Sequence, residues 1–396
     1  MNMKKRTLKS VLCFILAFNL VFAAYSQSNP LDKCKVVAKN VNGLVVCDKT
    51  LLYETITIPL SALTEELQIV KLDDLRESTV KPTLAEVSDN YILIKGEREI
   101  PFKLFNKKTG KFVCNIGSFG QGPNEYLNVY DQQLDEANNR IYLLPWQTKK
   151  ILVYDLQGKG LDAIPLCNES PKGNFKVDTK AGTVIVSVLP FTGAPAVVWQ
   201  QTLDGKLLKS IAPGHIALRP DFSNEVSSYK GGNVFDFHIF SFMPRADTLY
   251  HYDTSANKLL PLFTLDFKGQ NMNIHSYGEI SGYFLGNLSE PKQLNENTTV
   301  TQNNRFFIVD KKTLKGSYFT LENDFLGNIE IGWPSYTFNN DYYVYNADPG
   351  NLRDELEKAL NSGKKLSPEM RDKITKLKNS ITDNDNNYIL YAKLKK

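Results

Sequence analysis

Lys111 to Leu156 reads KFVCNIGSFGQGPNEYLNVYDQQLDEANNRIYLLPWQTKKILVYDL, and it holds one full unit of a pattern that recurs, degraded, from Tyr91 to Tyr391. A short strand, Phe112 to Ile116, runs into a glycine-rich turn built on Gly117, Gly120, Gly122 and Pro123. A charged loop with Asp131, Asp135 and Glu136 follows, then two strands, Arg140 to Leu144 and Ile151 to Tyr154, closed by Asp155-Leu156-Gln157-Gly158-Lys159. Strands this short, bounded by Gly, Asn, Asp and Pro, predict an antiparallel meander rather than βαβ units.

The closing turn can be followed along the chain as KKTGKF around Gly110, DLQGKG around Gly158, LDGKLL around Gly205, DTSANKLL around Asn257 and DKKTLKG around Leu314. The intervals are 48, 47, 52 and 57 residues. A period near 50 with about four short strands per unit predicts a β-propeller, in which each small sheet buries its faces only against its neighbours. Five turns require at least five blades, and the chain beyond Asn328 requires a sixth. The fold class expected is therefore all-β, a six-bladed propeller over 67–396.

Upstream, Lys4, Lys5, Arg6 and Lys9 precede the apolar run Val11 to Ala24 and the small-residue site Ala24-Tyr25-Ser26. This has the form of a secretory signal peptide over 1–26, too short in its apolar part to stay as a spanning helix. Its removal takes four basic residues and no acidic ones, which brings the net charge of +4 to zero and leaves no electrostatic case for nucleic acid. The expectation is an exported protein of the periplasm or cell surface, with no membrane span after cleavage. Residues 27–66 pattern weakly and are expected as an extended lead-in. Cys34, Cys47, Cys114 and Cys167 remain, as free thiols or with one disulfide, and the absence of C-x-x-C spacing argues against zinc or a redox site.

One segment breaks the β pattern. After Asp348-Pro349-Gly350, Leu352, Leu356 and Leu360 lie a helical turn apart, and Ser367-Pro368-Glu369 caps a second run with Met370, Ile374, Leu377 and Ile381. Two amphipathic helices, an insertion over 349–382, are expected within the last blade and packed on the propeller.

The run Gly110-Lys111-Phe112 to Ile116-Gly117-Ser118-Phe119-Gly120-Gln121-Gly122-Pro123-Asn124-Glu125-Tyr126 resembles the GKF-x-x-x-IG-x-x-GQGP-x-EY hallmark of secreted six-bladed propellers of Bacteroidetes, distant relatives of NHL-repeat propellers. Asp247-Thr248-Leu249-Tyr250 and the ending Asp385 to Lys395 resemble two further blades of that family. Asn124 and Asn387 depart from its usual Gly and Pro. The resemblance implies the fold and an extracytoplasmic location, and supplies no catalytic residues.

Function has to be argued from sites, because a propeller hosts many. Gly117, Gly120 and Gly122 do not form G-x-G-x-x-G, and no helix follows to receive a phosphate. His215, His238, His251 and His275 lack the spacing of metal ligands, and no G-x-S-x-G elbow occurs. No cofactor, metal or catalytic set is therefore expected. What stands out is aromatic and cationic material in links between strands: Trp146, His215, Arg219, His238, Arg245, Trp333 and Tyr336. Links on one face of a propeller converge around the axis, so these seven are the candidate ligand-binding residues. The reading is a monomeric, non-catalytic binding propeller for a glycan, peptide or envelope protein. The alternative is a metal-dependent hydrolase or lyase of lactonase-like propeller type.

Overall fold

A computed structural model describes residues 29–229, 234–295, 298–332, 336–339 and 341–396. The leader over 1–26 and Trp333 lie outside these residues. Six antiparallel sheets follow one another around a ring. Blade 1 is Ala85–Val87, Tyr91–Ile94, Phe102–Asn106 and Phe112–Ile116; blade 2 is Val129–Asp135, Arg140–Pro145, Thr148–Tyr154 and Gly160–Ser170. Blade 3 is Gly173–Asp178, Thr183–Val188, Val198–Thr202 and Leu207–Ile211, and blade 4 is Glu225–Tyr229, Asp236–Phe240, Leu249–Asp253 and Lys258–Asp266. Blade 5 is Ile274–Ile280, Tyr283–Asn295, Thr298–Asp310 and Gly316–Asn323. Blade 6 takes Tyr336–Asn339, Tyr342–Ala347 and Tyr388–Lys393 from the end of the chain and Gln68–Lys71 from its beginning. The two ends of the chain close the ring there, with Tyr388 opposite Lys71 and Tyr391 opposite Gln68.

The repeated turn joins the third and fourth strands of blades 1 to 5. Gly110, Gly158, Gly205, Asn257 and Leu314 all have positive φ, between 52° and 89°. In four of the five an Asx side chain ties the turn: Asn106 accepts from the amides of Lys108 and Thr109, Asp155 from Gln157, Asp253 from Ser255, and Asp310 from Lys312. Blade 6 has no such turn, because its third and fourth strands come from opposite ends of the chain.

Period-2 alternation sends successive side chains to opposite seams. Leu152 packs toward blade 1 with Leu104 and Ile141, while Val153 packs toward blade 3 with Phe175 and Trp199. Six apolar clusters result among the described residues, one at each seam. The glycine-rich motif fastens the seam between blades 1 and 2. Tyr126 donates its hydroxyl to the Ile116 carbonyl at 2.6 Å and accepts from the Phe102 amide at 2.8 Å. A Cβ on Gly117, at φ 66°, would meet the Tyr154 hydroxyl at 2.6 Å and the Tyr126 ring at 2.7 Å, so only glycine fits there.

The segment expected as an extended lead-in is built into the ring. Ala38–Val41 and Leu44–Asp48 form a hairpin whose second strand pairs parallel with the rim of blade 4, Val45 opposite Phe263. Thr55–Pro59 then pairs parallel with the rim of blade 5, Thr55 opposite Tyr318. These additions cover strand edges that a bare ring would leave exposed. The four described cysteines are free thiols.

The insertion forms helices Pro349–Asn361 and Pro368–Ser380. Asp348 accepts from the amides of Gly350 and Asn351, and Ser367 from that of Met370, which caps both N-termini. Leu352, Leu356, Ala359 and Ile374 are buried against Ile58, Leu60, Tyr343 and Leu390 of the blade 5–6 seam.

Candidate functional site

In each blade the first strand is innermost, and alternation of strand direction fixes which links share a face. Links between the second and third strands, and links between blades, all emerge on one side of the ring. Trp146, His215, Arg219 and Arg245 therefore share a face.

At the axial mouth on this face, charged side chains from four blades meet. Glu225, opening blade 4, accepts from the Tyr130 hydroxyl of blade 2 and from Lys172 Nζ at 2.5 Å. Lys172 also donates to the carbonyls of Phe222 at 2.6 Å and Asn224 at 3.1 Å. Asp131 accepts from the Phe175 amide at 2.9 Å, which links the inner strands of blades 2 and 3. Lys95 follows Leu93 on the face of blade 1 turned toward blade 2, within the field of Asp131 and Glu225. Burial pulls its pKa down, and those two carboxylates oppose the shift. Among the described residues its ammonium makes no hydrogen bond or close ion pair.

An aromatic wall stands beside this mouth. Trp146, 39% exposed, meets Phe222 edge to face at 5.6 Å between centroids, and Phe222 meets Phe191 in the same way at 5.1 Å. The Trp146 amide donates to the Asn128 carbonyl at 2.9 Å, which fixes the turn that presents the indole. Phe191 also lines a cavity of about 210 Å³ with Pro171, Leu189, Pro195 and Trp199. A wider depression of about 730 Å³, lined by Asn124, Lys150, Leu161 and Asp162, lies against the outer strands of blade 2 and gathers no comparable chemistry.

The seven residues expected from the sequence separate as follows. Trp146 belongs to the wall. His215 is exposed, with Nε2 at 3.4 Å from the Tyr250 hydroxyl, and Arg219 is exposed on the same link. Arg245 is half-buried, donates to the Ile216 carbonyl at 3.5 Å and pairs with Asp247 at 3.6 Å. His238 is fully buried in the seam between blades 4 and 5, its ring 4.9 Å from that of Tyr277 and tilted by 58° to it, and is not presented to a ligand at the face. Its place in a strand, alternating with Phe237 and Ile239, dictates this. Trp333 and the Tyr336 side chain lie outside the described residues. Sequence reasoning missed Lys95, Tyr130, Lys172, Phe191 and Glu225. Pro171-Lys172-Gly173 was a legible inter-blade link, whereas Tyr130 and Glu225 meet only through the ring.

Among the described residues, no three His, Cys, Asp or Glu side chains group to hold a metal ion, and no helix is long and apolar enough to cross a membrane. A family model described as a domain of unknown function (DUF4934) matches residues 46–393. No curated protein matches the chain. Among solved structures, a presumptive exported protein of Bacteroides fragilis is 18% identical, with a TM-score of 0.55 over 84% of this chain and 95% of that one. A DUF4221 member from Bacteroides vulgatus is 10% identical, with a TM-score of 0.43 over 84% of this chain and 97% of that one. The first of these likenesses supports the fold.

Proposed function

Since the chain belongs to the DUF4934 family and folds as a six-bladed propeller, we propose that it is an exported, non-catalytic binding protein whose loop face takes a glycan. The observation that carries this reading is the Trp146–Phe222–Phe191 wall beside the polar axial mouth. A sugar presents an apolar ring face bordered by hydroxyls, and an aromatic plane next to carboxylates and ammonium groups meets both needs. The Lys95 ammonium, enclosed and without a close partner, suits a carboxylate on the sugar. The leader-like 1–26 segment supports export to the periplasm or cell surface, in keeping with the description of the Bacteroides fragilis protein.

The test is an array of neutral and uronate-bearing oligosaccharides, with titration calorimetry on whichever binds. Trp146→Ala is expected to weaken binding by about 1–3 kcal/mol with an unchanged melting transition. Lys95→Met is expected to remove the preference for acidic over neutral sugars. Binding of peptides but no sugar, or wild-type sugar affinity in Trp146→Ala, would overturn the proposal.

A further inference from the structure

Four buried polar atoms without a hydrogen-bond partner lie along the seam between blades 4 and 5: His238 Nε2, Arg245 Nε, Asp247 Oδ2 and His275 Nε2. His238 is wholly buried, and His275 and Asp247 are 5% and 7% exposed. His238 Nε2 lies 3.7 Å and Arg245 Nε 3.6 Å from Asp247 Oδ2. The two imidazole rings are 6.5 Å apart between centroids. Both contacts with Asp247 are longer than a hydrogen bond, so a small molecule held among these groups would complete them.

Hydrogen-bond roles identify the molecule. The Tyr277 amide donates to His238 Nδ1, so His238 carries its proton on Nε2 and points a donor into the site. His275 Nδ1 lies 2.9 Å from the Asn273 carbonyl, which can only accept, so His275 Nε2 offers a lone pair. Arg245 Nε is a second donor, and Asp247 Oδ2 a second acceptor. A metal ion would face the guanidinium and the N–H of His238. An anion would face the carboxylate and the lone pair of His275. A neutral molecule that accepts two hydrogen bonds and donates two satisfies all four atoms.

We infer that this site binds one integral water molecule, which accepts from His238 and Arg245 and donates to Asp247 and His275. It ties the link between the second and third strands of blade 4 to the first strand of blade 5, and so sets the position of Arg245 at the candidate face. Buried waters commonly make about three such bonds and are costly to remove.

A crystal structure of the whole chain, with anomalous data at transition-metal edges, tests the assignment. The expected result is one peak within about 2.7–3.2 Å of the four atoms and no anomalous signal. No peak, or an anomalous one, would overturn it. In solution, ¹⁷O relaxation dispersion is expected to lose one long-lived water in His238→Phe, and likewise in His275→Phe should the first variant not fold. A folded variant of either kind with the wild-type count would also overturn the inference, and if neither folds the crystallographic peak decides.

Discussion

Asp236 makes the fold sensitive to pH. Its carboxyl is buried, hydrogen-bonded to Glu279, and 2.5 Å from His251 Nδ1, while Lys311 pairs with Glu279 at 2.7 Å. Burial first, and the neighbouring Glu279 second, push its pKa up to about 9. The fold favours the neutral acid. That contribution is full below the unfolded carboxyl value of about 4 and is lost as pH rises toward 9. Wild type is therefore expected to lose more stability between pH 5 and pH 8 than Asp236→Asn, by on the order of 1 kcal/mol or more. Urea melts of both proteins at the two pH values measure this. Parallel slopes would show that Asp236 does not keep its proton.

Elements with a local signal were legible, and those whose partners are remote were not. The five turns stood out because each needs a positive φ, and four of them a capping Asx, within a few residues. The glycine motif was legible for the same reason. The strands Leu44–Asp48 and Thr55–Pro59 were missed because they are short and join the ring only through rims formed more than 200 residues later. The second and third strands of blade 5 run 13 residues each; the half of each nearer their shared link is polar and largely exposed, so no apolar alternation marks it. In the site, Trp146 and Phe222 could be picked out by residue type, but Phe191 could not, and only the ring brings these three links together. The insertion helices were readable from apolar spacing and caps. Leu356, wholly buried among Leu60, Tyr343 and Leu390, gives the element-scale prediction. Leu356→Ala is expected to cost about 2–5 kcal/mol, read as a lowered melting temperature of the whole protein. A melting temperature equal to wild type would mean that the helices dock without supporting the ring.

At the scale of the molecule, closure decides stability. Blade 6 is the one sheet whose strands come from both ends of the described chain, through Tyr388 opposite Lys71 and its neighbouring pairs. Asn386 and Asn387 add to this junction: Asn386 donates to the carbonyls of Asp73 and Ser78 at 2.9 Å, and Asn387 donates to Asn346 at 2.8 Å. Deleting residues 386–396 removes the third strand of blade 6 and strands Gln68–Lys71 without a partner. Loss of a single cooperative melting transition is expected, followed by calorimetry. An unchanged transition would mean that the ring holds without its latch.

The lacing of residues 38–71 over blades 4, 5 and 6 also sets a timetable. These strands leave the ribosome first, yet Val45 waits for Phe263, Thr55 for Tyr318 and Lys71 for Tyr388. At about 5–20 residues per second, they lack these remote partners for tens of seconds while the rest is made. A half-synthesised chain therefore cannot seal itself into a native circle. It stays open until Tyr388–Lys393 has been made and can meet Gln68–Lys71.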